Sequence, residues 1–159
     1  MRKHKTEVMM NDLYAMPGHL IRRVQQVAVA IFSEECTTHA LTPIQFAFLT
    51  AIHNNPDVDA TRLSALIGFD RSTLGDVLEP METRGWIKRK PSPQDKRIKG
   101  VRLSTLGTKV LKSAEPEVHR VQHRLLEPIT PQEQQALLSL LSKLLQHHEH
   151  MVPSAGERP

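Results

Sequence analysis

The chain has 159 residues, 39% apolar and 24% charged, with a net charge of +4, a balance that fits one globular domain with its own core and excludes a disordered or fibrous chain. No run approaches the roughly 18 uncharged apolar residues of a membrane span, and the basic start MRKHKTEVMMND lacks the apolar stretch and cleavage site of a secretory leader. A single cysteine, Cys36, excludes an internal disulfide framework, so the cytoplasm is the expected compartment.

Residues 1–16 are expected to form a flexible arm. From Pro17, whose missing N–H suits a first helical turn, Leu20, Ile21, Val24, Val27, Ala28, Ile31 and Phe32 recur at three-and-four spacing and predict a helix across 17–39. In LTPIQF, Thr42 can cap a second helix, with Pro43 at its first position and Gln45 as capping-box partner. Phe46, Leu49 and Ile52 carry that helix to a turn at Asn54-Asn55-Pro56. Asp59 can cap a short helix through Leu63, Leu66 and Ile67 to Gly68, and Asp70 can cap another, DRSTLGDVLEPMETRG, that ends at Gly85. Two helices joined by a short glycine-bearing turn make a helix-turn-helix pattern. Pro80 removes the bond to the Asp76 carbonyl at a cost of about 3 kcal/mol, so the second helix is expected to bend or end early.

After Gly85 the period changes to two. WIKRK and IKGVRLS alternate around a proline-bearing loop and predict a β-hairpin with a projecting, flexible tip. Residues 84–102 hold Arg84, Lys88, Arg89, Lys90, Lys96, Arg97, Lys99 and Arg102 against Asp95 alone, a local net of +7 that leaves −3 for the other 140 residues. A mildly acidic body with one basic patch is the footprint of a polyanion binder, most often a nucleic-acid binder; a merely solvated charge run would intersperse acids. Ser104 or Thr105 then starts a long helix through Leu106, Val110, Leu111, Ala114, Val118, Val121 and Leu125, with Pro116 predicting a bend or break. Thr130-Pro131-Gln132-Glu133 opens a last helix carrying Leu137, Leu138, Leu140, Leu141, Leu144 and Leu145, before a disordered tail at 151–159.

Arg71, Ser72 and Thr73 open the second helix of the pair, where such motifs face base edges. Arginine can read guanine bidentately and the hydroxyls can serve base or phosphate; phosphate contact or capping alone is the competing reading. Arg84, Lys88, Lys96 and Lys99 are expected on phosphates. Cys36 lies near a helix C-terminus, where the dipole disfavours a thiolate, and reads as structural. His119 and His123, and the group His147, His148 and His150, read as exposed helical histidines, because a zinc site wants three or four ligands. No phosphate-binding glycine loop, metalloprotease motif or nucleophile elbow occurs, so no metal, no cofactor and no enzymatic activity are expected.

A helix-turn-helix followed at once by a basic hairpin is a winged helix-turn-helix. LTPIQFAFLTAI, then LSALIGFDRSTLGDVLEPMETRGWIKRKPSPQDKRIKGVRLSTLG, then ITPQEQQALLSLLSKL, resembles the MarR family of bacterial transcriptional regulators, over roughly residues 17–147. The most specific elements are Asp95-x-Arg97 in the hairpin and the segment from Leu103 to Gly107 beyond it. The opening MPGHLIRRVQQ is similar to a sub-branch that regulates catabolism of aromatic or nicotinate-like acids. The expected fold is therefore mainly α (α+β), a winged helix-turn-helix with a two-stranded β-wing and N- and C-terminal dimerisation helices. Residues 17–40 and 105–150 would form the helical dimerisation region and 41–104 the DNA-binding domain.

The resemblance implies a homodimer that offers one recognition helix and one wing per protomer to palindromic double-stranded DNA. By the same resemblance Arg97 is the wing arginine, suited to a narrow minor groove, with Asp95 pairing an arginine to shape the tip. Family members often release DNA on binding small phenolic or carboxylic effectors. His19 and Arg23 share a helix face with Arg22 beside them, and are candidates to hold a ligand carboxylate, with Phe46, Phe48 and His53 as walls. Intersubunit salt bridges for the arginines and a structural role for His19 stay open beside that. The expected function is a sequence-specific regulator, a repressor released from its operator by a small aromatic carboxylate or phenol, nucleoid-associated when bound and without membrane contact. The competing reading is a ligandless architectural or protein-binding winged helix.

Overall fold

The computed structural model describes residues 10–91 and 99–151. Its helices begin mostly where a side chain can take up their first free N–H groups. After α1 (Met10–Ala15), α2 (Pro17–Glu35) starts with Pro17 in its first turn. Ahead of α3 (Pro43–Asn54) the Thr42 hydroxyl accepts from the Gln45 N–H at 3.3 Å, and the Gln45 side chain accepts from the Thr42 N–H at 3.1 Å. Asp59 accepts from the Arg62 N–H at 2.9 Å to start α4 (Ala60–Ile67), which Gly68 closes at φ +65°. Ser104 accepts from the Gly107 N–H at 2.9 Å ahead of α6 (Thr105–Leu126). Thr130 and Glu133 exchange two bonds, at 2.8 and 3.3 Å, ahead of α7 (Pro131–His148).

Several boundaries depart from the sequence expectation. Met10–Ala15, inside the stretch expected as a flexible arm, is helical, and Tyr14 lies edge-on to His19 at 5.8 Å. Residues 1–9 lie outside the described residues. The second helix stops at Glu35 rather than at 39, because the chain beyond it is drawn onto α6: Thr38 donates to Glu117, and His39 meets the Ser113 hydroxyl at 2.7 Å. Arg71–Thr73 form a 3-10 turn, and α5 (Leu74–Thr83) begins only after it. The Asp70 carboxylate accepts from Ser72 N–H, two residues on, at 3.0 Å, and the Thr73 hydroxyl donates back to the Asp70 carbonyl at 3.1 Å, which tightens the backbone. Neither Pro80 in α5 nor Pro116 in α6 interrupts its helix. Both prolines, with the residues four before them (Asp76 and Lys112), lie on exposed faces, where water can serve the carbonyl that loses its partner.

At the end of α5, Gly85 takes φ +72°, and the N–H groups of Gly85 and Trp86 return to the carbonyls of Glu82 and Met81 at 2.8 and 2.9 Å. The chain thereby turns into β1 (Ile87–Pro91), which pairs antiparallel with β2 (Lys99–Leu103) from Ile87↔Leu103 to Pro91↔Lys99. The hairpin tip, residues 92–98, and the tail, 152–159, lie outside the described residues, as do the expectations placed on them. Val58 bridges Val101, whose N–H donates to the Val58 carbonyl at 2.9 Å, so the α3–α4 connection lies along the hairpin.

The core gathers around α3. Phe48, Leu49 and Ile52 meet Leu63 of α4, Leu74, Leu78 and Met81 of α5, Ile87 and Val101 of the sheet, and Val110, Leu111 and Ala114 of α6. The architecture is mainly α with a two-stranded wing, as expected. No described helix is long and apolar enough to cross a membrane.

Where the wing meets α6, a Cβ on Gly107 would lie 1.9 Å from the Trp86 carbonyl oxygen, a backbone atom that already accepts from Ser104 N–H at 2.9 Å. Gly107→Ala should therefore destabilise the fold by about 3 kcal/mol or more, read as a lower denaturation midpoint with an unchanged m-value.

Candidate nucleic-acid interface

Burial of Leu74, Leu78 and Met81 fixes the rotation of α5 about its own axis. Ser72 and Thr73, on the preceding 3-10 turn, are exposed, and so are Asp76, Glu79 and Thr83 along the helix. Arg71 stands at the head of the same turn. The three residues expected to read DNA are thus brought together at the end of α5, on a turn tighter than an α-helix.

The basic patch divides into two sets. Lys88 and Lys90 stand exposed on β1. Arg84, Arg89 and Arg102 are held by the chain itself. The Arg84 guanidinium lies 4.9 Å from the Trp86 ring centroid and reaches the carbonyls of His39 and Ala40 at 3.4 and 3.5 Å. Arg84 thus braces the α2–α3 connection at the far end of α5 from Ser72. Arg89 pairs with Glu82 of α5 at 3.0 Å. Lys99 lies in β2 opposite Pro91, while Lys96 and Arg97, with Asp95, fall outside the described residues.

Arg102 is held most tightly. Its Nε donates to Asp57 Oδ1 at 2.7 Å and its Nη2 to Asp57 Oδ2, a two-pronged pairing that planar guanidinium and carboxylate groups favour. Asp57 adopts φ +62°, and the pairing holds its carboxyl below the ordinary value of 3.8. Gly100 makes the approach possible: a Cβ there would lie 2.8 Å from the Asp57 carbonyl oxygen. In sequence Asn54-Asn55-Pro56 reads as a plain turn, with no role for Asp57. An acid beside a turn carries no local sign of a partner 45 residues away.

The candidate ligand residues do not share one surface. His19 is half-buried against Tyr14, Arg22 is exposed, and Arg23 donates to the Gln26 side chain at 3.2 Å. On α3, Phe46 lines a shallow groove with Thr50, Asn54, Leu66 and Ile67, and His53 is exposed. Phe48 points the other way, fully buried and edge-on to Phe69 at 5.5 Å. It is a core residue rather than a pocket wall, because two residues along a helix turn a side chain by about 200°. Cys36 is buried too, and burial, reinforced by the nearby Glu117 charge, pushes its thiol pKa up and keeps it protonated. Among the described residues no three His, Cys, Asp or Glu side chains gather as a metal site.

Beside α5 and the wing, α2 is tied to α6. Glu35 meets Arg120 at 3.1 Å and Arg124 at 3.3 Å, and Glu34 meets Arg124 at 2.7 Å.

Comparison with known proteins places this geometry in a family. A model of the MarR family matches residues 41–99. Transcriptional regulator HosA of Escherichia coli is 30% identical over 127 residues, 80% of this chain and 93% of its own. The transcriptional repressor CouR, bound to a 23-mer DNA duplex, superposes with a TM-score of 0.79 at 29% identity, over 87% of this chain and 99% of its own. Bordetella bronchiseptica BpsR, whose DNA binding is regulated by 6-hydroxynicotinic acid, gives 0.74 at 27% identity, over 80% and 96%.

The Asp57–Arg102 clamp has a defined pH signature. A carboxyl with a depressed folded pKa adds stability that is complete above its unfolded value and is lost as pH falls through the folded one. Protection of the Val101 amide against hydrogen exchange should therefore drop below pH 3.8. In Asp57→Asn that protection should be lower at neutral pH and should lose this contribution to its acid dependence.

Proposed function

The chain belongs to the MarR family and is a transcriptional regulator, and from that premise we propose that it is a homodimeric repressor that leaves a palindromic operator when a small aromatic carboxylate or phenol binds. The observation that carries the two-fold part is α7. Its 18 residues include no buried one, and Leu137, Leu138, Leu140, Leu141, Leu144 and Leu145 stand 37–71% exposed. On α2, Leu20, Ile21, Val24 and Val27 are about half exposed as well. Fully burying one such side chain stabilises by about 1.5–3 kcal/mol, and two apolar faces of this size mark an interaction surface. A second copy covers both when residues 17–40 and 105–150 form a shared helical region. The two 41–104 units then present their α5 helices to successive major grooves about 34 Å apart.

Within each unit, Arg71, Ser72 and Thr73 face base edges and phosphates, while Lys88, Lys96 and Lys99 neutralise the backbone beside Arg97 in a minor groove. Arg84 acts as a brace. CouR, a repressor bound to duplex DNA, supports the mode of action, and BpsR supports an aromatic acid as the effector. A guanidinium from Arg22 or Arg23 beside His19 suits such a carboxylate.

Selection from a random duplex pool should yield palindromic sites that small aromatic carboxylates release, and Arg97→Ala should flatten the log–log salt dependence of binding by about one unit. Binding without sequence preference and indifferent to aromatic acids would instead identify a ligandless architectural protein. Leu141→Glu/Leu144→Glu should sediment at half the wild-type mass and bind a selected site at least ~10-fold more weakly, since single half-site contacts lack the avidity of the pair.

A further inference from the structure

The segment from Asp57 to Arg84 contains six acids, and four of them are occupied. Asp57 is clamped by Arg102, Asp59 caps α4, Asp70 accepts from Ser72 N–H at 3.0 Å, and Glu82 pairs with Arg89 at 3.0 Å. Asp76 and Glu79 are the exceptions: both are exposed, and neither has a hydrogen bond or ion pair among the described residues. Asp76 is one turn beyond Ser72 and Thr73. At 3.6 residues per turn it stands about 200° round α5 from the buried Leu74, so it projects directly away from the core. Its neighbour Gly75 leaves the approach open, since even a Cβ there would meet nothing within 4 Å.

Resting on the placement of α5 in a major groove proposed above, we infer that Asp76 is a specificity-determining residue that accepts a hydrogen bond from the N4 amino group of a cytosine in each half-site. A carboxylate only accepts. Cytosine offers the major groove a lone donor, adenine sets its N6 donor beside the N7 acceptor, and guanine and thymine present acceptors that repel a carboxylate. An unsatisfied negative charge between two rows of phosphates is also repelled by them. Asp76 therefore selects chiefly by excluding wrong bases, with little gain in affinity for the right one. Its position in the first turn of α5 also suits the helix dipole, but that structural role has no bearing on base preference.

The test is to select duplexes from a random pool with the full-length wild-type protein, Asp76→Ala and Asp76→Asn. Base preference is a ratio among bound sequences, so it is independent of any loss of folded protein. Wild type should enrich cytosine at one position of each half-site, on the order of ten-fold over guanine or thymine. Asp76→Ala should flatten that position alone and bind unrelated duplex more tightly. Asp76→Asn should shift it toward adenine, which an amide can meet with both a donor and an acceptor. The same motif from wild type and Asp76→Ala would overturn the assignment while leaving the regulator intact, as would enrichment of guanine or thymine at the position that Asp76→Ala flattens. Failure of the wild-type protein to bind any duplex would overturn the DNA-binding reading itself.

Discussion

The orientation of α5 is the constraint on which the rest of the interface depends. Leu74, Leu78 and Met81 are sealed into the core around Phe48, Leu49 and Ile52 of α3, so the helix has one permitted rotation. That rotation decides which side chains face outward and which residues are candidates to touch a duplex. Close packing makes the choice discrete, because a helix rotated by one position would bury Gly75 and Glu79 in place of Leu74 and Leu78. The two interior prolines are compatible with this arrangement because both lie on the solvent side of their helices, away from the packed stripe.

The basic segment acquires a division of labour on folding. A run of cations read along the chain looks uniform, but guanidinium groups and ammonium groups are put to different uses here. Arg84 holds the end of α5 to the α2–α3 connection, Arg89 holds the wing to α5, and Arg102 holds the wing to the α3–α4 connection. The lysines of β1 are left at the surface. The electrostatic field that attracts a polyanion is thus partly spent inside the protein, and Glu82 and Asp57 offset it locally. Among the described residues, Lys88 and Lys90 remain available on β1.

Legibility in the sequence followed the range of the interaction. Thr42, Asp59 and Thr130 mark helix starts, and of Ser104 and Thr105 it is Ser104 that caps α6; such starts are legible because a cap is completed within three residues. The change of period after Gly85 located both strands for the same reason. Contacts between distant segments left no such trace: nothing around Arg84 announces the carbonyls of His39 and Ala40, and nothing around Asp57 announces Arg102. Phe48 reads as a pocket wall in sequence because an aromatic residue fits a core and a cavity lining equally well until the rotation of α3 is known. The 3-10 turn at Arg71–Thr73 reads in sequence as part of the following helix, since Asp70 satisfies its neighbours through i to i+2 geometry that resembles a cap.

The junction between the wing and α6 has a mechanical consequence. Ser104 is bonded to Gly85 through its hydroxyl, to Trp86 through its N–H and to Gly107 through its oxygen, and Gly107 lies flush against Trp86. The first turn of α6 and the root of the hairpin are therefore one welded joint with no slack for sliding. The start of that 22-residue helix and the base of the wing thus form one rigid corner, which Val101 and Arg102 extend to the α3–α4 connection.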